Sequence, residues 1–85
     1  MGIWENEASR RWKGAWIGGS GPFACAVAYG KGTSVTLFRK SSDAQAHKNR
    51  LDTLQPEKKR WRSTELVNLT EVRALRTAAI TQGRR

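Results

Sequence analysis

Cysteine, histidine and proline are nearly missing from this chain. Cys25 and His47 stand alone among 85 residues, and Pro22 and Pro56 are the two prolines. A single thiol excludes an intramolecular disulfide, and a small chain without one fits a reducing compartment better than secretion. One cysteine and one histidine do not make a structural zinc site, so no metal or other cofactor is expected. Carboxylates are scarce too, seven against sixteen Lys and Arg, and they lie scattered among cations rather than paired for general acid–base work. No apolar run approaches the roughly twenty residues that span a bilayer. The opening MGIWENEASRRW has early carboxylates and no apolar stretch, unlike a signal peptide. Gly2 begins a myristoylation pattern, but Asn6 stands where Ser or Thr is required. These absences predict a non-enzymatic chain, off the membrane and cytoplasmic.

What the chain does have is positive charge and indole. The formal charge is +9 and four residues are Trp. The charge divides almost evenly, +4 over residues 1–42 and +5 over the rest, so this is not a neutral domain with a basic tail. Such a field attracts polyanions without specifying a fold. The length allows one hydrophobic core and no more. Stability from a core this small is modest, and a partner or a second copy would add to it.

Periodicity predicts an α+β domain of β-hairpin–helix–strand–helix order, β-β-α-β-α, built on an antiparallel sheet. Residues 1–13 read as a polar, flexible segment or short helix, residues 14–82 as the domain and residues 83–85 as a basic tail. Trp12 and Trp16 have helical spacing interrupted by Gly14, and an extended segment ending at Ile17 fits equally; a flexible GGSGP turn follows. FACAVAY (23–29) alternates with period two, Phe23, Cys25, Val27 and Tyr29 on one face and three alanines on the other. GKG (30–32) supplies a tight connection to TSVTLFRK (33–40), rich in β-branched residues. Ser41 or Ser42 caps a helix running to about Gln55, with Ala44, His47, Leu51 and Leu54 as its apolar stripe and Pro56 as its stop. The alanine face of the first strand is small enough to let that helix approach closely. WRSTELVNL (61–69) is a strand, and Thr70 opens a second helix whose apolar line is Val72, Leu75 and Ala79, with Arg73 and Arg76 off it.

Few motifs carry chemistry. Cys25 lies in an apolar strand, where it packs as a small hydrophobe, and His47 falls on the inner line of its helix. Gly30-Lys31-Gly32-Thr33 joins two strands, whereas a phosphate-binding loop leads from a strand into a helix. The distinctive stretches are KKRWR (58–62) and RRWK (10–13). Lys58, Lys59, Arg60 and Arg62 are candidates for phosphate contacts, and Trp61 for stacking on a base. Arg10, Arg11 and Lys13 around Trp12 form a second candidate cluster, and Arg39 and Lys40 extend the first patch. Either indole serves equally as a core anchor whose charged neighbours face water.

The segments WIGGSGPFA (16–24), TSVTLF (33–38) and Ala44 through Leu51-Asp52 resemble short accessory proteins of actinobacteria and their phages. The resemblance covers under half the chain and implies provenance rather than an activity. Where many of those proteins carry Cys and His after the helix, this chain has QPEKKRW, so no metal role is implied. The expected partner is nucleic acid, DNA ahead of RNA. The alternative is an acidic host protein, bound and inhibited through a Trp/Arg surface, and a homo-oligomer fits either.

Overall fold

The computed structural model describes residues 2–54 and 60–82. Its elements run α1 (Ile3–Arg11), β1 (Trp16–Gly19), β2 (Phe23–Tyr29), β3 (Gly32–Phe38), α2 (Ser41–Asp52), β4 (Trp61–Asn68) and α3 (Leu69–Gln82). The strands form one open sheet in the order β1-β3-β2-β4. The chain is therefore α+β, with three helices and a four-stranded mixed sheet. The expected hairpin is present: β2 and β3 pair antiparallel from Phe23 opposite Phe38 to Tyr29 opposite Gly32.

The sheet is mixed rather than antiparallel throughout. β1 runs parallel to β3, with Ile17 beside Val35. β4 pairs antiparallel with the far side of β2, so β3 and β4 point the same way with β2 between them. Gly18 and Gly19, expected in the turn, belong to β1, and the turn that follows is shorter. Gly21 makes that turn possible. Its φ is +124°, and a Cβ there would lie 2.1 Å from the carbonyl oxygen of Phe38, so a side chain is excluded both sterically and conformationally.

Each face of the sheet carries helices, but not in the expected arrangement. The register puts Ala24, Ala26, Val35, Leu37, Val67 and Ile17 on one face. That face receives α1 through Ala8 and the start of α3 through Leu69, both fully buried. The small side chain of Ala8 lets α1 sit on β1 and β3, which present Ile17, Val35 and Leu37 to this face. The segment read from sequence as flexible or a short helix thus forms α1, and its Ala8 contributes to the core. α2 packs on the opposite face, that of Phe23, Cys25 and Val27. There the His47 ring lies 5.4 Å from that of Phe38, and the Thr64 hydroxyl donates to Asp52 over 2.9 Å. The alanine face therefore takes α1, not α2. A β3–α2–β4 crossover has a preferred hand, which leaves α2 one face whatever the strand composition.

Helix starts also differ in detail from expectation. Lys40 occupies the cap position of α2, with no side-chain cap. Ser41 already lies within the helix, and Asp43 in the first turn supplies the favourable negative charge. At α3 the cap is Asn68, whose Oδ1 accepts from the Thr70 amide at 3.0 Å. The Leu69 amide donates to the Pro22 carbonyl at 2.8 Å. This bond anchors the helix to the turn before β2. Of the expected apolar line, Val72 is half-buried, whereas Leu75 and Ala79 are exposed, Leu75 at 71%. Arg73 and Arg76 take the inward role instead, reaching Glu7 of α1.

Candidate nucleic-acid interface

α2 does not run the whole length of its face of the sheet. Asp52, the last residue of α2, bonds Thr64, whose sheet neighbour is Val27. The next rung, Tyr29 beside Trp61, lies beyond the helix end. Tyr29 is accordingly an exposed aromatic, and Trp16 on the edge strand β1 is 62% exposed.

Trp61 reaches this face through an irregularity in β4. Ala28 pairs with Ser63 but Tyr29 pairs with Trp61, leaving Arg62 as an extra residue. Strict alternation would have set Arg62 beside Tyr29 and turned Trp61 to the other face. The bulge reverses that, because an inserted residue shifts the side-chain phase of a strand by one. The rings of Tyr29 and Trp61 then meet edge to face, 6.5 Å between centroids at 80°, a favoured aromatic geometry. Trp61 is half-buried by this contact, so the indole is largely committed to structure.

Trp16 lies on the other side of the Tyr29 rung. Its indole spans Gly32: a Cβ at that glycine would be 3.3 Å from Cζ3 and 3.5 Å from Cη2. The missing side chain at position 32 gives the ring room to lie against the sheet. Between Trp16 and Tyr29 opens a cleft of ≈ 430 Å³, lined also by Gly30, Lys31 and Arg60. Lys31 and Arg60 are exposed. The cleft thus joins apolar ring surface to two cations, from the β2–β3 turn and from the residue preceding β4.

The residues singled out from sequence are dispersed around this cleft. Arg60 lines it, and Arg62 is exposed at the adjacent bulge. Lys58 and Lys59 lie outside the described residues, as do Pro56 and the tail at residues 83–85. Arg39 and Lys40 do not extend the patch. They follow Phe38 at the opposite end of β3, about 20 Å away at the rise of an extended strand. Arg10, Arg11 and Lys13 end α1 on the other face. Arg11 bonds Glu65 at 3.3 Å and stacks its guanidinium 5.3 Å from the Trp12 ring centre. Trp12 itself packs against the core cluster. It is a core anchor with a guanidinium over it, not an open stacking surface.

No protein-family model, curated protein or solved structure matches this chain.

Trp16, Tyr29 and Lys31 were not legible as a group. Tyr29 and Lys31 flank a hairpin turn, a local pattern that register alone brings together. Trp16 joins them only through the parallel β1–β3 pairing, which leaves no local trace in sequence. Among the described residues no group of three His, Cys, Asp or Glu is placed to hold a metal ion. None of the described helices is long and apolar enough to cross a membrane. Cys25 is fully buried. Burial raises its thiol pKa, with Lys48 opposing and Asp52 adding to the shift, the reverse of what a nucleophilic thiol needs.

Proposed function

We propose that this chain is a small non-enzymatic protein that binds nucleic acid through Arg and Lys contacts to phosphates. The observation that carries the reading is the pairing of Lys31 and Arg60 with exposed Trp16 and Tyr29 in one cleft beyond the end of α2. Arg62 beside it and the formal charge of +9 support the same reading. Lys58 and Lys59, candidates from sequence, lie outside the described residues. Cations of this density neutralise phosphates and release counterions, so affinity should depend steeply on salt. On this reading the protein works in the cytoplasm, of a host cell if it is phage-encoded, in keeping with a lone cysteine.

The test is binding of the purified protein to duplex DNA, single-stranded DNA and RNA across a salt series. A log–log slope of about −3 to −5 corresponds to roughly four to five neutralised phosphates. Replacing Lys31 and Arg60 by Ala should weaken binding to many sequences alike and flatten the slope by about one per lost contact. Absence of binding at low salt overturns the reading.

A second reading has an observation of its own. Leu75 is 71% exposed on α3, a position that suits a protein contact. An effector that binds an acidic host protein through Trp and Arg would show one saturable protein partner, with Trp substitutions costing more than single Lys changes.

A further inference from the structure

The cleft between Trp16 and Tyr29 has a shape that phosphate contacts alone do not require. Phosphate-binding surfaces need cations, whereas this one also presents Trp16, 62% exposed, and the ring of Tyr29 beyond the end of α2. Trp16 sits on β1 and Tyr29 on β2 with β3 between, so their strands are separated by about 9.5 Å, two interstrand spacings. The Trp16 ring leans across that gap over Gly32. Tyr29 is braced from behind by the edge-to-face contact with Trp61. The two cations stand at the rim, Lys31 in the turn and Arg60 before β4.

We infer that this cleft is a stacking site for an unpaired base, which makes single-stranded nucleic acid the preferred ligand. The inference rests on the nucleic-acid reading above and narrows it. Bases within a duplex are stacked on one another and offer a protein only their edges in the grooves, so their faces do not reach Trp16. An unpaired base offers a free π-face, and the adjoining phosphates fall toward Lys31 and Arg60. Stacking of this kind tolerates any base, so the preference is for strandedness rather than for sequence. Trp16 is the principal platform because its ring is the more exposed. Tyr29 forms the second wall, held in place by Trp61.

The test compares three probes: an oligothymidylate, an abasic deoxyribose-phosphate oligomer of the same length, and a duplex. The wild-type chain should bind the oligothymidylate most tightly, with affinity for the abasic oligomer lower by about five- to a hundredfold, the effect of losing one stacked base. Trp16→Ala should abolish that difference, lower oligothymidylate affinity by the same factor and leave the salt slope unchanged. Trp16→Phe should restore part of it. Because Trp16 is mostly exposed, the Ala variant should keep its thermal midpoint, and Tyr29→Leu provides an independent wall variant. Salt-dependent binding that is equal for all three probes and indifferent to Trp16→Ala overturns the stacking site while leaving the phosphate reading intact. Binding to no nucleic acid overturns both. Polyglutamate bound more tightly than oligothymidylate, with Trp16→Ala weakening it, overturns both in favour of an acidic protein partner.

Discussion

Glu7 of α1, only 4% exposed, accepts hydrogen bonds from both terminal nitrogens of Arg76 on α3, one of them at 2.7 Å. Arg73 adds a second cation 3.9 Å from the same carboxylate. The pair joins the first helix of the chain to the last. It also explains why Arg76, read from sequence as lying off the apolar line of α3, turns toward α1. A buried charge stripped of its partner is costly, while replacing both partners by apolar groups is often neutral.

Arg76→Ala should therefore destabilise the fold measurably, with partial exposure of Arg76 and the nearby Arg73 holding the cost down. The double replacement Glu7→Leu with Arg76→Leu should recover most of that loss. Urea unfolding of the single and double variants measures both. An unchanged midpoint for Arg76→Ala would show that the pair contributes nothing.

Acidity should act through the same carboxylate. The Arg76 hydrogen bonds, aided by the charges of Arg76, Arg10 and Arg73 and opposed by burial, hold Glu7 below the ordinary carboxylate value of 4.5. A folded pKa below the unfolded one gives stability that is present above pH 4.5 and is lost as pH falls through the folded pKa. Thermal midpoints followed downward from neutral pH should drop below that point, and Glu7→Gln should drop less steeply. Parallel curves for the two proteins would refute the assignment.

Two tryptophans four residues apart should respond in opposite ways. Trp12 packs on the core cluster around Ala8 and Val35, so Trp12→Ala should cost about 3 kcal/mol. Trp16 is mostly exposed, and Trp16→Ala should change stability by less than about 0.5 kcal/mol. Denaturant titration distinguishes them; equal losses would contradict the placement of either ring.

Ala8 is fully buried in the core cluster, where α1 meets α3, β1 and β3. Ala8→Leu should overpack that contact at a cost of about 1–3 kcal/mol, whereas a helix merely resting on the surface would tolerate the change. Thermal unfolding of the variant decides between the two.

Cys25, at 0% exposure, should react with a thiol reagent only when the fold opens. Modification in native buffer should be slower than in denaturant by about a hundredfold or more, because reaction must wait for an opened state. Equal rates would place Cys25 outside the interior.

Much of this protein is legible from local pattern. The alternation of FACAVAY, the glycines of the turn and the β-branched run after it specify the β2–β3 hairpin, because a period of two is a property of the strand itself. The charge of +9 is likewise read from composition and is independent of fold. What tertiary structure alone decided are relationships between distant segments. The hand of a crossover places α2 on the Cys25 face. The parallel pairing of β1 with β3 brings Trp16 over Gly32 beside Tyr29, and a one-residue bulge at Arg62 turns Trp61 to join them. Glu7 and Arg76 meet across 69 residues of sequence. Local propensity has no knowledge of such encounters, because they follow from which surfaces the packed chain brings together. The candidate site, made of the edge strand, the hairpin turn and the start of β4, is a product of that packing.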